Sequence, residues 1–332
     1  MAGNRVKVIL TVAAIAAVIM LLKSPQQEAP LFESRLMMDT IISIRAYPVI
    51  SKKQLDAAFA EFAKVESKAS FHLENSELSA LNRNGSLGAA SSLTPLLQIA
   101  ADYFARTDGY FDPSFASLQK AYGFYSGEGR LPGEDEIAGL LRDRCGLGQV
   151  LLQNEEGFKL ASGSLIDLGG IAGGYAIEKA ARVLRESGCS GFLIDDAGDI
   201  WFEGSKPDSS NWRIAVRDPR DNGTLALVES RAPLAISTSG DYERFITVDG
   251  KRYGHIMNPH SGRPVDYYSS VTIIASEPVT ADALSTAVFA MPPEIAFKWV
   301  EERNLAVLFL TSTGTIHLSR AGRQYFRQAE AQ

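Results

Sequence analysis

The chain has 332 residues, is 45% hydrophobic and 22% charged, and carries a formal net charge of −6. That length and apolar content suffice for a substantial core in one large domain or two lobes. The lack of a long basic run argues against nucleic acid as a partner, and four histidines argue against a histidine-rich metal centre. Cys145 and Cys189, the only two cysteines, match no zinc or redox spacing; a disulfide between them stays open in an oxidising compartment.

At the N-terminus, Arg5 and Lys7 precede an almost purely apolar run from Val8 to Leu22. A short charged segment before such a run reads as an export signal or a short membrane anchor, with a buried core helix as the plain alternative. No small-x-small cleavage pattern follows, so the expectation is an uncleaved anchor helix, slightly short for a span. Its flanking charges put the N-terminus inside and the body outside the cytoplasm. Residues 1–30 then make the anchor and a short linker, and residues 31–332 the folded domain.

In the folded part, "TIISIRAY" (Thr40 to Tyr47) has the β-branched content of a strand. Ser51 suits the N-cap of a helix with Leu55, Phe59, Phe62 and Val65 on one face. Thr94-Pro95 opens a second helix that ends before Gly109. "LIDL" (residues 165–168) reads as a short apolar strand leading into Gly169, Gly170, Gly173 and Gly174. Ala176, Ile177, Ala180, Val183 and Leu184 then recur at helical spacing until Gly188. The segments "FLIDDAGDIWFEG", "WRIAVRD", "LAIST", "RFITVDGKRYGHI" and "SSVTIIASE" predict strands and turns, followed by helices near Ala281 and Pro293 and the strand "LAVLFLTS". Strands without regular βαβ alternation predict an α+β fold, with mixed or antiparallel sheets and flanking helices.

Three stretches bear on chemistry. The glycines at 169, 170, 173 and 174 do not fit the dinucleotide fingerprint, and no phosphate-loop Gly-Lys-Ser/Thr occurs. The corner serves either as a tight turn or as a ligand loop, since glycine permits close backbone approach and the helix start offers free amides to an anion. In "VTADALSTAVFAM", Thr280 can cap a helix that places Asp282 and Thr286 on one face. A carboxylate and a hydroxyl side by side suit a hard cation such as Mg²⁺; equally, Asp282 complements the helix dipole and Thr286 packs. The third stretch has a polar "STSGD" turn and then His255 before "NPHSGRP", where Pro259 and Pro264 bar a helical metal pair of His255 and His260. His255 suits a proton acceptor or a structural imidazole bonded to backbone.

Together "MMDTIISI", "NSELSALN", "GYFDPSF", "IDLGGIAGGYAIEKA", "STSGDYERF", "HIMNPHSGRP" and "ADALSTAVF" resemble, in order, the motifs of the ApbE family, the FAD:protein FMN transferases. The resemblance implies Mg²⁺-dependent cleavage of FAD, transfer of its FMN half to a threonine or serine hydroxyl of a target flavoprotein, and release of AMP. By position it implies that Asp167 contacts FAD, that Met38 lies near the flavin, and that "NSELSALN" helps close over it. The Gly170 carbonyl with the Asp282 and Thr286 side chains would ligate Mg²⁺, with Ser285 as a neighbour, and Asp282 and His255 would be catalytic. Gly173 stands where the family commonly has a lysine that contacts FAD, and Ala197 stands where the family has glycine. With the anchor, the resemblance implies an acceptor in a membrane electron-transfer complex outside the cytoplasm. The same site with water as acceptor would make an FAD pyrophosphatase, and the missing lysine admits a non-catalytic, anchored flavin-binding protein.

Overall fold

A computed structural model describes residues 30–47, 50–221 and 223–328. The expected anchor helix lies outside them; among the described residues no helix is long and apolar enough to cross a membrane. Strand β2 (Thr40–Tyr47) lies where expected, and β1 (Leu31–Met37), which sequence reading missed, pairs with it in a hairpin. Its two turn residues, Met38 and Asp39, both have positive φ, 52° and 61°, which suits the twist of the flanking strands but strains a residue with a side chain. The Met38 amide donates to Glu66 Oε1 at 3.1 Å and holds the turn. Helix α1 (Lys52–Ala69) is capped by Ser51 in a reciprocal box with Gln54, and it buries Leu55, Phe59, Phe62 and Val65 as the periodicity requires.

Next come α2 (Glu77–Asn84), β3 (Ser86–Gly88), α3 (Thr94–Arg106), α4 (Ala116–Tyr122), α5 (Glu134–Arg144) and α6 (Leu147–Val150). The short strands β4 (Leu151–Asn154) and β5 (Gly157–Leu160) pair beside β3. Helix α7 (Ala172–Glu186) leads to β6 (Gly191–Asp196), β7 (Asp199–Gly204), β8 (Trp212–Arg217), β9 (Thr224–Ser230) and β10 (Leu234–Gly240). Two hairpins follow, β11 (Phe245–Val248) with β12 (Lys251–Gly254) and β13 (Met257–Asn258) with β14 (Arg263–Pro264). The chain continues through β15 (Tyr268–Ala275), α8 (Pro278–Ala290), α9 (Pro293–Glu302), β16 (Ala306–Thr311), β17 (Ile316–Leu318) and β18 (Phe326–Gln328).

The main sheet has eight strands in the order β1-β2-β6-β7-β10-β15-β16-β17, and every neighbouring pair is antiparallel. The expected α+β class holds, without parallel pairs in the sheet. On one face α1 packs on α7, and α7 on α8, which lies over β10 and β15; Phe59, Phe62, Ile177, Leu184, Val271 and Phe289 belong to the core between them. The other face is covered by the small sheet β18-β9-β8 through Phe202, Trp212, Val228 and Leu308.

Three local expectations are corrected. "LIDL" is not a strand. Its backbone bonds go elsewhere: the Asn82 amide spans both backbone groups of Ile166 at 2.8 and 2.9 Å, Leu165 N donates to Ser117 Oγ, and Asp167 N donates to Pro113 O. Thr280 is no cap, because α8 begins at Pro278 behind Glu277; its hydroxyl bonds Tyr103 Oη at 2.6 Å instead. Ser237–Gly240 is not a turn but the end of β10, paired with β15. Cys145 and Cys189 are free thiols, with burial pushing them up to about 12 and about 11.

The β6–β7 turn, Ala197-Gly198, places Ala197 at φ 50°. A left-handed residue with a Cβ costs roughly 1–2 kcal/mol, and glycine gives back about 0.4–1 kcal/mol through the freer unfolded chain. Relief of strain therefore wins: A197G is expected to stabilise the protein by about 0.5–1 kcal/mol, read as a higher denaturant midpoint at unchanged slope.

Candidate active site

Helix α7 starts where the glycines make the backbone bare. A Cβ on Gly174 would stand 2.6 Å from Pro278 O and 2.8 Å from Val279 Cα, so only glycine lets the start of α7 reach the start of α8. That approach brings Gly174 N within 2.8 Å of Asp282 Oδ2, which accepts its hydrogen bond. Asp282 thus caps a neighbouring helix rather than serving its own dipole. One turn on, Thr286 faces the same way, and a Cβ on Gly170 would lie 3.0 Å from Thr286 Oγ1. The glycine corner and the Asp282 helix are neighbours.

Period-two alternation along β10 turns Ser237 and Ser239 towards α8. Ser285 Oγ lies 3.0 Å from Ser237 Oγ, 2.9 Å from Ser239 Oγ and 2.9 Å from Asp282 O. The Ser285 hydroxyl is therefore committed to this chain of hydroxyls behind Asp282. Ser237 in turn donates to Asp199 Oδ1.

Asp167 is pinned at both oxygens: Gly169 N donates to Oδ1 at 2.9 Å, and the Tyr125 hydroxyl lies 2.8 Å from Oδ2. Tyr125 stacks on Phe71 at 4.2 Å between centroids, and burial with the adjacent Asp167 charge pushes its pKa well above the usual value, so it remains a hydrogen-bond donor. His255 opens partly onto the cleft, while protein packs closely around its ring. Nδ1 lies 3.2 Å from the Arg244 carbonyl; a carbonyl only accepts, so Nδ1 bears the proton and Nε2 keeps its lone pair. Burial, with the Arg244 charge as a second cause, lowers its pKa to about 4.

These elements enclose a cleft of about 420 Å³. Met38, Asp167, Gly170, Gly173, His255, Asp282, Ser285 and Thr286, separate in sequence, all line it. "NSELSALN" does not: Asn82 anchors Ile166, and Ser70, Phe71 and His72, just before it, reach the cleft instead. Sequence reading also missed Glu66, Tyr125, Asp196, Asp199 and Arg244. Asp39, Glu66, Asp112, Asp167, Asp196, Asp199, Glu243 and Asp282 line the cleft, and Arg244 is the sole lysine or arginine among its described lining residues. Burial, and then the Asp199 charge, push Asp196 up to about 8. Burial chiefly raises Asp199 as well, and burial with the Asp199 charge raises Asp282 well above the usual carboxylate range. Crowded, buried carboxylates of this kind are held protonated unless a positive charge meets them, and no three His, Cys, Asp or Glu side chains among the described residues stand in metal-ligand geometry.

An antiparallel sheet with a helical layer, and an oxygen-lined acidic cleft where two helix starts meet, define an α+β protein with a ligand-sized cleft. The ApbE family model matches residues 38–309, and the chain belongs to the ApbE family. It is 31% identical over 219 residues to the FAD:protein FMN transferase of Escherichia coli K12, covering 63% of this chain and 62% of that relative. The match thus spans somewhat less than two thirds of that relative. Among solved structures, the ApbE protein of Thermotoga maritima superimposes with TM-score 0.83 at 28% identity over 90% of this chain and 100% of that one. The apo flavinyl transferase ApbE of Pseudomonas stutzeri gives TM-score 0.79 at 27% identity, covering 91% and 98%.

Proposed function

We propose that this protein transfers the FMN moiety of FAD to a threonine or serine hydroxyl of a target flavoprotein, in a Mg²⁺-dependent reaction that releases AMP. The observation that carries this reading is the convergence of the glycine corner, Asp282 and Thr286 on one strongly acidic cleft, in a chain of a family whose matched relative is an FAD:protein FMN transferase. A cleft with one guanidinium among eight acidic side chains offers a diphosphate little positive charge unless metal is present. The donor set fits Mg²⁺, which prefers oxygen ligands: the Gly170 carbonyl, an Asp282 carboxylate oxygen and the Thr286 hydroxyl would hold it. Bound there, it would polarise the phosphorus and offset the charge of diphosphate and leaving group.

The chain's own residues position the reaction. Asp167, fixed by Gly169 and Tyr125, presents a rigid carboxylate beside the corner, and Met38 meets the flavin from the strained hairpin. The acceptor oxygen bonds to the phosphorus of the FMN half, the bridging P–O bond to AMP breaks, and the hydroxyl proton passes to the neutral His255. Ser285 buttresses Asp282 from behind and is not needed as a ligand.

A histidine lowered to about 4 is a weak base, but it stays neutral far below the ordinary histidine range. The acid limb of the kcat/KM profile attributable to His255 is therefore expected near pH 4–5, and a limb centred at pH 6.5 would assign the proton elsewhere. The reading as a whole is tested by incubating the protein with FAD, Mg²⁺ and candidate flavoproteins and weighing the products. An added FMN on threonine or serine, with AMP in equal amount, supports it. AMP and free FMN without an adduct would point to water as acceptor.

The charged, apolar N-terminus supports an anchored enzyme acting outside the cytoplasm on a membrane electron-transfer complex. A compartment reporter fused after Ala29 is expected to be active outside; cytoplasmic activity would contradict this placement.

A further inference from the structure

Among the described residues, β1 is an outer edge of the eight-stranded sheet. Its hairpin with β2 pairs Met37 with Thr40 across the two-residue turn, and such a turn closes on a hydrogen-bonded pair. Leu31, Glu33, Arg35 and Met37 therefore give their N–H and C=O groups to β2, while Phe32, Ser34 and Leu36 turn theirs outward. The same alternation aims the Tyr47 carbonyl at the far side of β2, where it accepts from Ser190 N at 2.8 Å, just before β6.

Side chains alternate with the backbone. Leu31 and Met37 pack against the main core, and Glu33 pairs with Arg35 on the same face. Phe32 and Leu36 take the opposite face and are 55% and 79% exposed; Ile41, directly opposite Leu36, is 61% exposed. The small sheet β18-β9-β8 reaches this face at Leu193 and leaves these three open. A free edge is ordinarily blunted by proline, lysine or a bulge, and β1 has none of these. The strand also leads to the site: the turn residues Met38 and Asp39, and Thr40 after them, line the cleft.

We propose that the edge of β1 docks an extended segment of the acceptor flavoprotein, which adds a strand to the main sheet. The inference rests on the transferase reading, because an enzyme that modifies a protein hydroxyl must seat polypeptide at the rim of its cleft. Backbone groups of Phe32, Ser34 and Leu36 would hold the segment in register, and apolar residues at its alternate positions would cover Phe32, Leu36 and Ile41. Every pair in the main sheet is antiparallel, and an added strand of the same sense runs away from the Met38 turn. Its N-terminal end then lies at the cleft, so the docked stretch is the one that follows the modified threonine or serine.

Hydrogen–deuterium exchange of the full-length protein without FAD, read over Leu31–Met37, tests the edge apart from any chemistry. The probe is a synthetic peptide in which one threonine precedes alternating valines and lysines; a counterpart interrupted by prolines, which cannot pair, is the control. Exchange over β1 is expected to slow with the first peptide only. No such slowing is expected in S34P, which removes an outward N–H at an edge position that tolerates proline. With the acceptor flavoprotein as substrate, S34P and L36K are each expected to raise its KM about tenfold, the scale of one lost hydrogen bond, and to leave the KM for FAD unchanged. Exchange unaltered by millimolar peptide would overturn the proposal. So would protection present before any peptide is added, or brought on by raising the protein concentration or by phosphatidylglycerol vesicles; these would give the edge to the preceding segment of this chain, a second copy or a lipid surface. Peptide protection in a protein that transfers no FMN would sink the transferase reading and leave the peptide-binding edge standing.

Discussion

Replacement of Asp282 by alanine is expected to lower Mg²⁺-dependent FMN transfer by about 10²–10³-fold, the scale for removing one group that stabilises transition-state charge. Two effects compete in that variant. Removing the carboxylate deletes a negative oxygen from the proposed cation site, and it strands Gly174 N, which donates to Oδ2 at 2.8 Å in the unmodified protein; an unpaired buried amide costs about 1–3 kcal/mol. Against this, burial and the nearby Asp199 charge both disfavour ionised Asp282 when no cation is bound, so its loss relieves repulsion. D282N separates the two. Its amide oxygen still accepts from Gly174 while the charge is gone, so the cation-free protein is expected to be at least as stable as the unmodified one, yet as inactive as D282A. Denaturant melts without metal, set beside kcat/KM with metal, decide this. An active D282N would show that the carboxylate's charge is dispensable.

The second large effect belongs to Gly174. An alanine Cβ would lie 2.6 Å from Pro278 O and 2.8 Å from both Pro278 C and Val279 Cα, all backbone atoms that cannot swing aside. Alanine gains about 1 kcal/mol of helix propensity over glycine. Forcing two packed helices apart costs about 1–3 kcal/mol, occasionally more, and the clash wins because the contact is with main chain at the start of α8. G174A is expected to lose about 1–2 kcal/mol of stability. Since the same separation draws Asp282 away from the corner, it should also weaken Mn²⁺ binding at least tenfold. A variant of unchanged stability and metal affinity would mean that the two helix starts need not touch.

Much of the frame is local and was legible for that reason. Ser51 with Gln54 three residues on, the 3.6-residue spacing of Leu55, Phe59, Phe62 and Val65, and the β-branched run Thr40–Tyr47 decide their structures with their own neighbours. "LIDL" misled because apolar composition says nothing about where backbone bonds go; Asn82, Ser117 and Pro113 take them in place of a neighbouring strand. Thr280 looked like a cap because its partner, Tyr103, lies far away in sequence. The polar end of β10 passed for a turn because its hydroxyls face α8 rather than water. In the site, the residues carried over by family resemblance line one cleft, whereas Glu66, Asp196 and Arg244 have no local signature. Their place follows from a helix end, a strand end and a loop meeting in space. The alanine at 197 and the glycine at 173 could be seen as departures in the sequence, but only the fold shows that the first is strained and the second surrounded by acids.

The central claim is that a divalent ion sits between the glycine corner and the helix of Asp282. Anomalous scattering from crystals grown with Mn²⁺ tests it most directly. The account predicts a peak within bonding distance of the Gly170 carbonyl, an Asp282 carboxylate oxygen and Thr286 Oγ1, lost in D282A. A well-ordered crystal with no anomalous density at that position, at Mn²⁺ concentrations that support turnover, would contradict it.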